Sequence, residues 1–160
     1  MNLIVMSGLP GTGKTTIAHQ LAVGFECAVI SVDTIERGLQ EAGIDPAQPT
    51  GPAAYAVASR LVDVQLSLGL SVIVDAVNND PHHRQAWLGL AHAHGADVSV
   101  VMVVCSDEEL HRQRLTARRR ERWASSWEQV LELRETWTPW PIETETIDTA
   151  TAQVNDPRRG

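Results

Sequence analysis

The sequence predicts an α/β fold, a doubly wound parallel sheet of about five strands with helices on both faces. Three observations carry that reading. Short apolar runs alternate with stretches whose apolar residues recur at helical spacing, the pattern of parallel strands joined by right-handed crossovers. A glycine-rich string, Gly8-Leu9-Pro10-Gly11-Thr12-Gly13-Lys14-Thr15, separates the first run from the first helix. The second and third runs each end in an aspartate, Asp33 and Asp75.

The elements follow in order. Asn2 to Met6 is a buried strand, and Ile17, Ala18, Leu21 and Ala22 mark the helix after the glycine string. Ala28 to Val32 is a second strand, with a helix from Asp33 or Thr34 to about Ala42. Pro46 and Pro49 place a loop before Pro52, which opens a long helix. Val57, Leu61, Val64 and Leu68 form its expected inward stripe, and Gly69 ends it. Leu70 to Val74 is a third strand. Asp80 and Pro81 form an N-cap and first-turn pair for a helix that runs towards His94 and Gly95. Val98 to Val104 is the most apolar run and the fourth strand. One helix begins near Asp107 and another spans about Ser126 to Thr136, before a short fifth strand at Ile147. Residues 1–148 therefore read as one domain, with residues 149–160 a polar tail.

The glycine string fits G-x-x-x-x-G-K-[ST], the phosphate-binding loop. Gly8, Pro10, Gly11, Thr12 and Gly13 curl the backbone so that its N–H groups face phosphate oxygens at a helix N-terminus. Lys14 reaches the β- and γ-phosphates, Thr15 offers a hydroxyl to Mg²⁺, and Thr16 continues the first turn. Lys14 is the one lysine in the chain, and the other twelve basic side chains are arginine. A compact ammonium on a flexible stem suits that position, where a planar guanidinium is no conservative substitute. The motif implies a nucleoside triphosphate, ATP, with Mg²⁺.

Composition narrows the partners. A net charge of −7 over 160 residues argues against an extended nucleic-acid footprint. The apolar runs are too short to span a membrane, the N-terminus lacks a signal pattern, and Cys27 and Cys105 lack metal-ligand spacing. The expectation is a cytosolic protein with two buried, reduced thiols. Positive charge is concentrated: Arg112, Arg114, Arg118, Arg119, Arg120 and Arg122 fall within eleven residues.

In doubly wound sheets, ligands bind beyond the carboxyl ends of the strands, so the phosphate loop, Asp33 and Asp75 converge on one rim. Asp33 there can accept the proton of an attacking hydroxyl, and Arg37, one turn on, can grip an anionic acceptor. The alternative is that Asp33 caps its helix and pairs with Arg37. Asp75 can organise Mg²⁺, directly or through water, or orient Arg37 or the acceptor. Asn78 and Asn79 either line the acceptor site or form an Asx turn. Arg114 and Arg118 share a helix face, and residues 112–125 are the candidate for an arginine-rich lid closing over the phosphates. Trp123, Trp127, Trp137 and Trp140 either stack on a ligand ring or cover the sheet as core.

These motifs, in this order, resemble the kinases of the ATP-binding P-loop superfamily typified by the polynucleotide 5′-kinase domain. The resemblance covers roughly residues 1–140. It implies Asp33 as general base, Arg37 on the acceptor phosphate, Arg114 and Arg118 on the donor phosphates and Asp75 at the end of strand three. One spacing departs from that pattern: the polynucleotide kinases place their arginine three residues after the aspartate, and here Arg37 follows Asp33 by four.

The reading that results is an ATP- and Mg²⁺-dependent phosphotransferase acting on a hydroxyl. Lys14, Asp33 and Arg118 carry catalysis, Arg37, Asp75 and Asn78 hold the acceptor, and Thr15 and Asp75 hold the metal. The acceptor is a small molecule or nucleotide, or else a polynucleotide 5′ end. A regulatory ATPase that transfers phosphate only to water is the rival of a different class.

Overall fold

The computed structural model describes residues 1–45, 47–118 and 125–152, the Arg118 side chain excepted. Its elements run β1 (Asn2–Ser7), α1 (Lys14–Phe25), β2 (Ala28–Ser31), α2 (Val32–Glu41), α3 (Thr50–Ser67), β3 (Val72–Asp75), α4 (Pro81–His94), β4 (Asp97–Val104), α5 (Glu108–Arg118), α6 (Trp127–Glu135) and β5 (Thr144–Asp148). The strands form one parallel sheet in the order β2-β3-β1-β4-β5. The predicted architecture is therefore the observed one.

Because side chains alternate across a strand, the sheet feeds two cores. Leu3, Val5, Val72, Val74 and Val100 face α2, α3 and α4. Ile4, Met6, Ile73, Val101 and Val103 face Ile17 and Ala18 of α1. Trp87 and Trp140 lie in the first of these cores, which answers for Trp140 the choice between ligand and packing. Trp123 lies outside the described residues. Asp80 caps α4 by accepting from the His82 N–H, with Pro81 behind it and Gly95 left-handed at the far end, as the sequence implies.

Three expectations need correction. The first concerns α3, where the buried ridge is Ala54, Ala58, Val62 and Leu66, while Val57, Leu61, Val64 and Leu68 face outward. Both faces are apolar, and the ridge that carries the smaller alanines joins the core that includes Val32 and Val74. The second concerns the start of α2, which opens at Val32 and not at Asp33 or Thr34. Ser31 is the N-cap, its hydroxyl accepting from the Thr34 N–H at 3.3 Å, so the alternative of an Asp33 cap is not the one adopted. The third concerns the tail: Thr149 is buried against the phosphate loop and belongs to the domain, while residues 153–160 lie outside the described residues. Cys27 and Cys105 are free thiols but only half-buried.

Candidate active site

The loop between β1 and α1 is built on glycines at positive φ. A Cβ added to Gly8 (φ 139°) would lie 2.2 Å from the Val103 carbonyl oxygen. One added to Gly11 (φ 82°) would meet Leu115 at 2.8 Å. Gly13 caps α1 in the left-handed region with no side chain on the first N–H groups, the arrangement of an anion site. Lys14, Thr15 and Thr16 form the first turn of α1.

The loop's carbonyls are occupied by donors of the protein itself. Leu9 O accepts from the Thr12 hydroxyl and from Lys14 Nζ, each at 2.9 Å. Pro10 O accepts from His111 Nε2 at 2.7 Å, so the imidazole carries its proton on that nitrogen. Thr12 O accepts from the Thr149 hydroxyl at 2.6 Å, and Arg114 reaches it at 3.5 Å. A backbone that binds anions must keep its carbonyl dipoles away from them, and these contacts do so.

Lys14 is buried within the loop. Beside it, the Thr15 hydroxyl donates to Asp75 Oδ2 at 2.8 Å. Burial pushes the Asp75 carboxyl upward, and the Asp33 charge adds to that, against the pull of Lys14 and the Thr15 hydrogen bond. A hydroxyl and a buried carboxylate side by side are hard oxygen donors, and a dication would offset the cost of burying that charge. The pair fits Mg²⁺.

Across the rim, Ser31 is in register with Asp75 on the neighbouring strand. Asp33 stands two residues beyond, exposed in the first turn of α2, and Arg37 is exposed one turn further. Since Ser31 does the capping, the Asp33 carboxylate is not needed for it.

The turn after β3 differs from expectation. Asn78, read from sequence as an acceptor contact, is fully buried in a left-handed conformation (φ 54°). Its amide donates to Met6 O at 2.7 Å and accepts from Trp87 Nε1 at 2.9 Å. Both ends of the side chain are committed to the fold, so Asn78 shapes the rim and is withdrawn as a substrate contact. Its N–H donates to the Tyr55 hydroxyl, whose phenol burial pushes up to about 12, the nearby Asn78 N–H opposing and Asp33, Asp80 and Asp75 adding. Tyr55 stacks on His83 with centroids 3.6 Å apart.

Arg84 is the largest surprise. It is buried, donating to Asn78 O at 2.7 Å and to Thr138 O and Pro139 O at 2.7 and 3.1 Å. Its guanidinium lies between the rings of Trp137 and Trp140, 5.2 and 5.1 Å from their centroids. Trp140 Nε1 donates to the Ser7 hydroxyl, which donates to Val77 O. The segment after α6 is thereby tied to the start of the phosphate loop.

Of the lid arginines, Arg114 donates to the Thr149 hydroxyl at 2.6 Å and Thr149 O at 3.1 Å. These bonds brace the loop through Thr149 and place Arg114 beside the phosphate loop, where the sequence suggested a donor-phosphate contact. The side chain of Arg118 and residues 119–124 lie outside the described residues. The sequence reading missed His111, Thr149 and Arg84. A cue existed for the first, since His111, Arg114 and Leu115 share one face of α5. Among the described residues no group of three or more histidine, cysteine and carboxylate side chains is arranged to hold a metal, and no helix is long and apolar enough to cross a membrane.

Comparison with known proteins adds the following. A family model described as an AAA domain matches residues 3–138. Uncharacterized proteins of Mycobacterium tuberculosis and Mycobacterium bovis are each 33% identical over 102 residues, 57% of this chain and 20% of theirs. The chain thus spans about a fifth of the length of the curated relatives it matches. Among solved structures, a candidate kinase of Chloroflexus aurantiacus superposes with a TM-score of 0.79 at 22% identity, covering 99% of this chain and 91% of that one. Kti12 of Chaetomium thermophilum, in complex with ADP-AlF3, gives 0.72 at 24% identity over 94% and 91% of the two chains. A gluconokinase of Sinorhizobium meliloti gives 0.69 at 16% identity over 99% and 88%. At these identities the likeness is one of fold, the P-loop kinase fold.

Proposed function

The chain belongs to the AAA-domain family, and from that premise we propose that it is an ATP-dependent, Mg²⁺-requiring phosphotransferase. The γ-phosphoryl group passes to a hydroxyl of a small-molecule or nucleotide-like acceptor. One observation carries the reading. A phosphate loop with its carbonyls held by donors of the protein shares a rim with a Thr15–Asp75 pair and with an Asp33 that has no capping duty.

In this reading the loop from Gly8 to Thr16 cradles the β-phosphate, and Lys14 turns from Leu9 O to the β,γ-phosphates. Thr15 and Asp75 would hold Mg²⁺, which would supply charge neutralisation at the β- and γ-oxygens. Asp33 takes the proton of the acceptor hydroxyl as its oxygen bonds to the γ-phosphorus. The bond from that phosphorus to the bridging oxygen breaks, and ADP leaves. Arg37 orients the acceptor, and Arg118, at the end of α5, supplies charge to the transferring group. Arg114 braces the loop through Thr149.

A polynucleotide 5′ end is the less favoured acceptor. The chain is acidic overall, and Asp33, Asp75 and Asp80 all lie near Tyr55 on the acceptor side of the rim. Such a rim repels a polyanion. The test is a screen of nucleosides, sugars, amino alcohols and 5′-hydroxyl oligonucleotides with γ-labelled ATP. Label should move to one class of alcohol, with slow hydrolysis in its absence. Brisk hydrolysis without any acceptor, undiminished in Arg37→Ala, would instead make the protein a regulatory ATPase.

A further inference from the structure

Helix α3 is apolar almost all round, with Arg60 and Asp63 its only charged residues. Its inner ridge of Ala54, Ala58, Val62 and Leu66 is buried in the core. On the other side Val57, Leu61, Val64 and Leu68 are 41, 46, 52 and 66% exposed, and Leu70 just beyond is 50% exposed. Scattered apolar exposure is ordinary, but a contiguous stripe of large aliphatic side chains marks a contact surface. Steps of four, three and four residues along this stripe match the seam of a two-helix coiled coil.

We propose that α3 is a dimerisation surface that takes a second copy of this chain, the two helices lying antiparallel about a twofold axis centred between residues 62 and 63. The spacing reads the same in both directions, so Val57 meets Leu68 of the second copy and Leu61 meets its Val64. Every layer then contains one valine and one leucine, and the layers have equal volume. A parallel pair would stack Val on Val and Leu on Leu, giving alternately thin and thick layers, which pack less evenly. Antiparallel helices also oppose their dipoles, where parallel ones align them. Arg60, beside the seam, falls near Ser67 of the second copy, so no like charges meet. A contact with these features is self-complementary, as a twofold interface must be. It does not depend on the phosphotransferase reading.

The size of the contact sets its strength. Eleven residues of helix rise about 16 Å, a contact smaller than the roughly 800 Å² per partner of a standard stable interface. The dimer is accordingly of the weak, concentration-dependent kind, with dissociation on the order of micromolar or above.

Sedimentation equilibrium over a wide concentration range tests it. The wild-type mass should rise from 17.5 kDa towards twice that value. Leu61→Glu alone and Val64→Lys alone should each weaken association at least tenfold, with melting temperature little changed because both side chains are exposed. The combined L61E/V64K chain should recover association, since the carboxylate introduced at position 61 then faces the ammonium introduced at position 64 of the other copy. A wild-type mass that stays monomeric throughout would overturn the proposal and leave the stripe to a different partner. So would single substitutions without effect, or a double variant no tighter than the singles, because the antiparallel register sets position 61 of one copy opposite position 64 of the other.

Discussion

Ser31 and Asp33 stand two residues apart at the entrance to α2, and exchanging each in turn separates capping from catalysis. Ser31→Ala removes the hydroxyl that accepts from the Thr34 N–H, and the loss of such a cap costs about 0.5–2 kcal/mol. For a chain of this length 1 kcal/mol moves Tm by about 2–4 °C. Ser31→Ala should therefore lower Tm by roughly 1–8 °C and leave turnover near wild type. Asp33→Asn loses only the favourable charge in the first turn of the helix, worth about 0.3–1 kcal/mol. Its Tm should fall by at most about 4 °C, partly offset because the Asp33 charge also disfavours the ionised, buried Asp75. Turnover is where Asp33→Asn should show, falling about 10²–10⁴-fold when a proton acceptor is lost. The assay is ADP release with the best acceptor from the screen, alongside ATP affinity by calorimetry, which should scarcely change. If Asp33→Asn retains turnover within tenfold, or unfolds where Ser31→Ala does not, the assignment of Asp33 as base is wrong.

Three further substitutions probe the loop and its supports. Lys14→Ala removes a charged donor worth about 1.5–3 kcal/mol, so the Kd for ATP–Mg²⁺ should rise about 10- to 150-fold. Calorimetry showing unchanged affinity would take Lys14 out of the triphosphate site. His111→Leu leaves the half-buried Pro10 O without its imidazole donor, at up to about 1–3 kcal/mol, and should weaken ATP binding as well as lower Tm, whereas His111→Gln keeps a donor and should recover much of both. Burial pushes the His111 imidazole down, as do Arg134, Arg114 and Lys14, against the Pro10 hydrogen bond. With the folded value below the unfolded one, the unfolded chain takes up the proton first as pH falls. Stability present above about 6.5 is therefore lost on acidification. His83, also lowered by burial, acts in the same direction. Thermal melts from pH 7 to 5 should show a shallower decline in His111→Gln than in wild type, and identical slopes would clear His111 of that role. Asn78→Ala forfeits two buried hydrogen bonds and places alanine in a left-handed turn, so a loss of about 3–5 kcal/mol is expected by chemical denaturation. A loss under about 1 kcal/mol would return Asn78 to the list of ligand contacts.

The parts legible in the sequence are those whose signal is local. The phosphate loop is a string of nine residues whose glycines answer to the backbone alone, and Asp80-Pro81 is a cap and a first turn side by side. The strands show as apolar runs because a parallel sheet covered on both faces has no polar side. What escaped was decided by distant partners. On α3 two apolar faces competed, and the core that includes Val32 and Val74 took the alanine ridge over the larger side chains. Arg84 carries a charge, and charge usually means solvent. Its burial depends on carbonyls at Thr138 and Pro139, more than fifty residues away. Thr149 looks like the start of a polar tail until Arg114 and Thr12 O are brought to it by the pairing of β5 with β4.

The same distance dependence explains how the candidate site is held. A loop that grips phosphate through its backbone is stable in that shape only if its carbonyls find donors elsewhere. Here Pro10 O and Thr12 O find them on α5 and just after β5, and Leu115 of α5 presses on Gly11 so closely that no side chain fits there. Helix α5 is also the element that ends at Arg118. The helix that braces the donor loop thus leads directly into the arginine-rich stretch of the sequence, and a shift of α5 would change loop shape and arginine position together. That coupling is why the loss of the His111 donor is expected to weaken ATP binding as well as stability, although the imidazole bonds the loop's backbone and is assigned no phosphate contact.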